Sequence, residues 1–321
     1  MNERTTMNRK PVCEVAAKSV INFKSGFAHK LLCDGPTFST GSACAYSCAF
    51  CYVPDLMRKS PHLVGIKERH NQVVIRRRGA IEAMGNQLVD RLGRPKFKDP
   101  NDRRVIYSSP LVDVAANMEL VRETVEACNL ILELTHWQIR LLSKSNLLPQ
   151  ITMRIDPAHH QRLIFGVSTG TLDDNLARSF EQGCPLPSKR IASLHWLQDH
   201  GFRTFGMICP SLPQKDYDAF AVRMRDAIRA EKCEHVWAEV INVRGDSMTR
   251  TVAGLRAGGF DAQADALDSV RDQSRWEIYA RDTFQAHAKI YPHGTLRFLQ
   301  YVNPKTRSWW QNQQISGAIL L

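Results

Sequence analysis

From about residue 99 to residue 285 the chain repeats one pattern: a short run of β-branched and aromatic residues, then a longer run with apolar residues at helical spacing. Strand-like runs begin near Val105 (VIYSS), end at Ser143 (IRLLS) and at Ser168 (LIFGVS), and begin again near Thr204 (TFGMI) and Val236 (VWAEVI). Helices are predicted between them over 117–134, 173–181, 188–200 and 217–230, with helical sequence over 248–284. A sixth strand is predicted over 37–43, running into a loop. A helix is predicted over 80–92, where Ile81, Met84, Leu88 and Leu92 share one face. Strands that alternate with covering helices run parallel, because each crossover returns the chain to the same end of the sheet. The fixed hand of such crossovers then makes a barrel or partial barrel natural. The fold class is therefore α/β, with a partial (β/α)6 barrel over 37–285. Residues 1–36 read as a loosely structured N-terminal extension. Residues 286–321, with a strand near 295–302, read as a C-terminal extension that covers the barrel or contacts substrate.

Three of the nine cysteines fall in one short loop directly after the first of these strands, in the run Cys44-Ala-Tyr-Ser-Cys48-Ala-Phe-Cys51-Tyr52. The start of the chain is polar, and no apolar run approaches the roughly 20 residues that span a bilayer. The expectation is a cytoplasmic protein, where disulfides are disfavoured and clustered cysteines point to metal or catalysis. Three thiolates can each hold one iron of a cubane and leave the fourth iron open, and an open metal position is what catalysis needs. A structural zinc site, the blander alternative, wants four ligands.

The spacing C-x3-C-x2-C, with Phe50 before and Tyr52 after the third cysteine, resembles the radical S-adenosylmethionine superfamily. The resemblance implies a [4Fe–4S] cluster on Cys44, Cys48 and Cys51. It also implies S-adenosylmethionine chelated by the open iron and cleaved reductively to a 5′-deoxyadenosyl radical. The fold would be a partial barrel of the radical SAM type. A longer series is similar to the spore photoproduct lyase and DNA repair photolyase branch: Tyr107-Ser-Ser-Pro-Leu-Val-Asp113 through Glu119 and Leu120, then Leu142-Ser-Lys-Ser145. After these come Phe165-Gly-Val-Ser168 through Asp173, Phe180-Glu181, Pro185-Leu-Pro187, Arg190 and Pro210-Ser-Leu-Pro213. On this resemblance Lys144 binds the cofactor carboxylate and Ser168 its methionine or ribose end, with Phe50, Tyr52 and Ser109 beside the cofactor. Both Lys144 and Ser168 stand at C-terminal strand ends, where β/α barrels place their chemistry. The chain departs from the branch at Pro110, where a hydrogen-donating cysteine is expected, and at Val112, where the branch has a hydroxyl. The expectation is that it does not efficiently repair the spore photoproduct.

Asp113, Glu181, Asn242 and Arg244 are candidates for holding substrate, with a salt-bridged loop as the plainer alternative. Cys209 and Glu239 are the candidates for a catalytic role, Cys209 as a spare hydrogen donor. Cys128 reads as a small core residue, and Cys184 has a lesser claim to handling a radical. The formal net charge is +11 (43 Lys and Arg against 32 Asp and Glu). It suits a polyanion partner or general solubility. A basic connection over 53–78, with Arg58, Lys59, Lys67, Arg69 and the run Arg76, Arg77, Arg78, would suit DNA, as would the pair Trp309 and Trp310 near Lys305 and Arg307, for which aromatic packing over the barrel's open end is an equal alternative. The leading expectation is thus a radical enzyme acting on a nucleobase or DNA, supplied with electrons by a flavodoxin or ferredoxin. The alternatives are a radical enzyme modifying a peptide or small metabolite, and a non-catalytic iron–sulfur DNA-binding sensor. Oligomeric state is not legible.

Overall fold

Every residue of the strand Leu163–Ser168 is buried, as a parallel strand covered on both faces requires. The computed structural model to which it belongs describes residues 10–58, 73–108, 110–243 and 245–321. Ser109 and Arg244, and Lys59, Lys67 and Arg69 of the basic connection, lie outside the described residues.

The strands in chain order are β1 (Val12–Ala16), β2 (Ile21–Asn22), β3 (Thr37–Phe38), β4 (Gly41–Ala43), β5 (Ser47–Cys48), β6 (Val74–Arg78) and β7 (Val105–Ser108). They continue as β8 (Gln138–Ser143), β9 (Leu163–Ser168), β10 (Glu181–Gln182), β11 (Arg203–Ser211), β12 (Cys233–Val240), β13 (Leu296–Gln300) and β14 (Ala318–Leu320). Among the described residues the main sheet runs β14-β13-β12-β11-β9-β8-β7-β3-β2. All its neighbours pair in parallel except β2 with β3. Its two ends do not join, so the fold is an open, mostly parallel α/β sheet, and the expected α/β partial barrel is present. A small second sheet, β1-β6-β4, flanks it.

Helices cover the outer face for reasons visible in the sequence. In Met118–Leu134 the Asn117 side chain accepts from Leu120 N, capping the first turn. Leu120, Val121, Thr124, Cys128 and Ile131 are buried on its inner stripe. Cys128 is thus a core residue. The predicted helix over 248–284 is three helices, Ser247–Ala257, Asp261–Ser269 and Gln273–Ala288. The breaks fall at the Gly258-Gly259 turn and just before Asp272, whose side chain accepts from Ser274 N and Arg275 N.

Residues from both ends of the chain are built against the main sheet. Residues 26–34 run along the inner face of the sheet. Trp237 donates from its indole to Lys30 O at 2.8 Å, and Arg140 donates to Leu32 O at 2.7 Å. Leu32 and Cys33 pack there with Tyr107, Ile164, Phe205, Met207, Trp237 and Leu299. Residues 26–34 thus fill the inner face of the sheet. At the other end β13 and β14 continue the sheet beyond β12. Trp310 is wholly buried, stacked on Phe298 at 5.9 Å with its indole N–H on Glu277. Trp309 packs edge-on against Trp310 and lies under the Arg281 guanidinium. The pair closes a core and does not present two faces for base stacking.

Candidate active site at the C-terminal ends of the strands

The cysteine loop is held from three sides. Its short strand β5 pairs antiparallel with β10, placing Cys48 opposite Glu181. Arg250, from the helix Ser247–Ala257, donates to Ala49 O and Cys51 O, each at 2.8 Å. Lys10 donates to Ser47 Oγ at 2.6 Å and Tyr46 O at 3.2 Å. Backbone carbonyls of the loop are thereby fixed by cations from distant segments, and the thiols are left to other partners. All three cysteines are free and partly buried.

As bare thiols they differ. Burial, then the nearby Cys48 sulfur, pushes the Cys51 thiol up to about 12 and the Cys44 thiol higher still. Cys48 moves the other way, because Cys184, with its sulfur 3.4 Å away, hydrogen-bonds to it and Lys144 lies near. Three thiolates crowded in a half-buried loop repel one another unless a cation sits among them. The donor set fits a multi-iron cluster, whose ligands are thiolates on separate irons.

Lys144 follows β8 directly. Its ammonium donates to Glu181 Oε1 at 2.7 Å, Ser168 Oγ at 3.0 Å and Cys209 O at 3.3 Å, and stands 5.0 Å from the centre of the Phe50 ring. Glu181, 2% exposed, splits its two oxygens between Lys144 and Arg190, the latter at 2.6 Å. Burial pulls the Lys144 ammonium down, but the Glu181 carboxylate and the nearby Cys48 and Cys184 sulfurs together outweigh it and hold the ammonium above the usual lysine range. The same balance runs in reverse for Glu181: burial raises it, and Lys144 and Arg190 together bring it below the usual carboxylate range.

The remaining expected residues are placed as follows. Asp113 lies beneath Lys144, accepting from Ser143 Oγ at 2.6 Å, Lys144 N at 2.7 Å and Ala115 N at 2.9 Å. Its contacts orient the strand end, and burial pushes its carboxyl up against those hydrogen bonds. Cys209 ends the inner row of β11, its sulfur 3.7 Å from Glu239 Oε2. Burial, followed by the Glu239 charge, keeps that thiol protonated. Glu239 in turn faces Lys30 at 3.9 Å. Asn242 lies just past β12, its carbonyl accepting from Ser247 Oγ. Tyr52 is exposed, with its hydroxyl donating to Pro110 O. Lys144, Ser168, Glu181, Cys209, Glu239 and Phe50 thus converge at one end of the sheet beside the cysteine loop.

The Arg76, Arg77 and Arg78 run is not free to track phosphate as a unit. Arg76 is paired with Glu119 and Glu123 at 2.8 and 3.0 Å, and Arg77 donates to Ser39 O and Ser19 O. Only Arg78 is exposed. Sequence reasoning passed over Lys10, Lys30 and Arg250, whose partners lie far away in the chain. Arg190 had a signal: it stands in the buried stripe of its helix with Leu194 and Leu197, where a charge must have a partner.

Fold and site together define an open α/β partial barrel with a three-cysteine loop and a buried Lys–Glu–Arg group at the C-terminal strand ends. No family model matches the sequence, and no curated protein matches it. Solved structures do match, among them several of spore photoproduct lyase. A cysteine-to-serine variant aligns over 91% of this chain and 82% of its own, at 10% identity and TM-score 0.60. A cysteine-to-alanine variant with dinucleoside spore photoproduct gives the same figures. A double variant with bound AdoMet and dinucleoside spore photoproduct covers 84% and 77%, at 12% identity and TM-score 0.55. The likeness is one of fold.

Proposed function

We propose that the chain is a radical S-adenosylmethionine enzyme that holds a [4Fe–4S] cluster on Cys44, Cys48 and Cys51 and acts on a nucleobase, in DNA or in a nucleotide. The observation that carries this reading is the placing of the cysteine loop against Glu181 and Lys144, at the strand ends where this class of fold does its chemistry. When bound, the cluster and S-adenosylmethionine supply an electron and a carbon radical able to take a hydrogen atom from substrate. Lys144 offers a cofactor carboxylate its ammonium, and Ser168, which touches that ammonium, fixes its direction. Phe50 walls the ammonium on one side and, with exposed Tyr52, flanks the loop. Cys209, kept as a thiol beside Glu239, has a transferable hydrogen that Pro110 lacks. It is the candidate donor, and spore photoproduct itself is not the expected substrate.

The nucleobase reading is supported by the dinucleoside held in the neighbouring structures and by the net charge of +11. The burial of Trp310 and the internal pairing of Arg76 favour a small substrate read at the site over a long phosphate track. That observation keeps a small-metabolite substrate as the second reading. A flavodoxin or ferredoxin is the proposed electron source. Among the described residues no helix is long and apolar enough to cross a membrane.

The test is anaerobic reconstitution with iron and sulfide, then reduction in the presence of S-adenosylmethionine. Binding of about four irons and four sulfides and formation of 5′-deoxyadenosine are expected. The Cys44→Ala, Cys48→Ala, Cys51→Ala triple variant should lose both. A triple variant that keeps its full iron content would overturn the reading. Anisotropy with labelled oligonucleotides across a salt series then separates DNA from a small substrate, since phosphate contacts make affinity fall steeply with salt.

A further inference from the structure

Arg190 makes four kinds of use of one buried side chain. It is 1% exposed, on the helix Pro187–Asp199. Its Nε donates to Pro185 O at 2.6 Å and one terminal nitrogen donates to Ser168 O at 3.1 Å. The other terminal nitrogen meets Glu181 Oε2 at 2.6 Å. The fourth use is electrostatic. Glu181 has a second cation on its other oxygen, the Lys144 ammonium at 2.7 Å. Two cations and one carboxylate therefore form a single buried chain. The other acid nearby, Asp113, turns its oxygens to Ser143 Oγ and to the backbone N–H groups of Lys144 and Ala115, not to the Lys144 ammonium.

Charge counting shows what the arginine changes. A lone Lys–Glu pair is neutral and has little pull on a further anion. With Arg190 bound to Glu181, the chain carries one net positive charge, and its ligand-facing end is Lys144, whose side chain is 13% exposed while the other two are 1% exposed. In a site of reduced dielectric one such charge is worth far more than at a surface.

We propose that Arg190 is a positioning residue: by neutralising Glu181 and fixing it in place, it leaves the Lys144 ammonium positive and aimed for the carboxylate of a ligand. Glu181 is then a brace for Lys144, not a contact to the substrate. The inference rests on reading this site as that of S-adenosylmethionine, and it assigns the carboxylate selectivity of the site to a residue that touches no ligand.

The experiment is calorimetry on the reconstituted, non-reduced protein with two probes, S-adenosylmethionine and 5′-methylthioadenosine, which has the nucleoside and sulfur but no carboxylate. Arg190→Met should weaken S-adenosylmethionine roughly tenfold or more, as loss of a charge-assisted contact does, and leave 5′-methylthioadenosine within about twofold. Glu181→Gln should bind S-adenosylmethionine as well as the wild type or better. The double variant Arg190→Met, Glu181→Gln restores the single net charge and should recover most of the lost affinity. The double variant and Glu181→Gln carry the test even where Arg190→Met fails to fold. Equal losses for both probes, or a loss in Glu181→Gln as large as that expected for Arg190→Met, would overturn the proposal and leave Arg190 a structural brace. Failure of the wild-type protein to bind S-adenosylmethionine would instead remove the cofactor reading, and this proposal with it.

Discussion

At the scale of single residues, the site is an arrangement of charges whose partners decide their state. Lys144 is the group that faces outward, so Lys144→Ala should raise the dissociation constant of S-adenosylmethionine by an amount worth about 1.5–3 kcal/mol. An unchanged constant by calorimetry would take Lys144 out of the site. A second expectation concerns sulfur. Cys184 sits in a turn made by Gly183, at φ +80°, which brings its thiol to 3.4 Å from Cys48. In the cluster-free protein a diazene oxidant, which accepts the two electrons and two protons that a pair of thiols releases, should link Cys48 to Cys184. Peptide mapping without reductant checks this, and a Cys48 joined only to Cys44 or Cys51 would contradict the observed contact. These residues were unevenly legible. Cys44, Cys48 and Cys51 announce themselves because ligand spacing is local. Lys144 and Ser168 were found through resemblance and strand position. Lys10 and Arg250 carry no local sign, since each meets the loop only after the chain has folded back on it.

Among the elements, the parallel strands and their helices were readable because each is a local run with its own period: five of the six strands expected before residue 245 lie in the main sheet, and the sixth, expected over 37–43, splits into β3 of the main sheet and β4 of the small one. What was hidden is pairing over distance. β1 is a five-residue strand paired with β6, some sixty residues on, and residues 26–34 gain their place from Trp237 and Arg140. A polar, mixed segment gives no period from which to foresee that. The close packing inside the sheet makes one sequence feature explicable afterwards. Gly166 breaks the apolar run of β9 because a Cβ there would strike the Phe205 ring, itself wholly buried against Trp237 at 5.3 Å. Gly166→Ala should therefore destabilise the protein by about 1–3 kcal/mol through overpacking, read as a lower urea midpoint at unchanged slope. Wild-type stability in that variant would mean the ring has room to move.

For the whole molecule, acid is the stress to which this fold is most exposed, because it starts at a net charge of +11 and gains more positive charge as pH falls. His287 adds a specific liability. It is wholly buried between the helix Gln273–Ala288, on which it sits, and its aromatic neighbours Tyr291 and Phe220. Neither ring nitrogen has a hydrogen-bond partner. Burial lowers its pKa from 6.5 to about 4. The unfolded chain therefore binds a proton at His287 at higher pH than the folded chain does. Stability from the neutral ring is complete above about pH 6.5 and is lost progressively as pH falls toward 4, by an amount on the order of 3 kcal/mol. Glu181, with its lowered carboxyl, loses stability only below the usual carboxylate range, and Asp113, raised by burial, works in the opposite sense. His235 is also lowered to about 4, by burial and then by Arg297, and adds to the same trend. Comparing wild type with His287→Phe isolates the one group, because the other three are common to both. The two proteins should diverge in urea midpoint between pH 7 and pH 4, with the wild type falling more steeply as the solution is acidified. Parallel curves across that window would mean that His287 gains a partner or solvent on protonation, and that the core between these helices opens more readily than its packing implies.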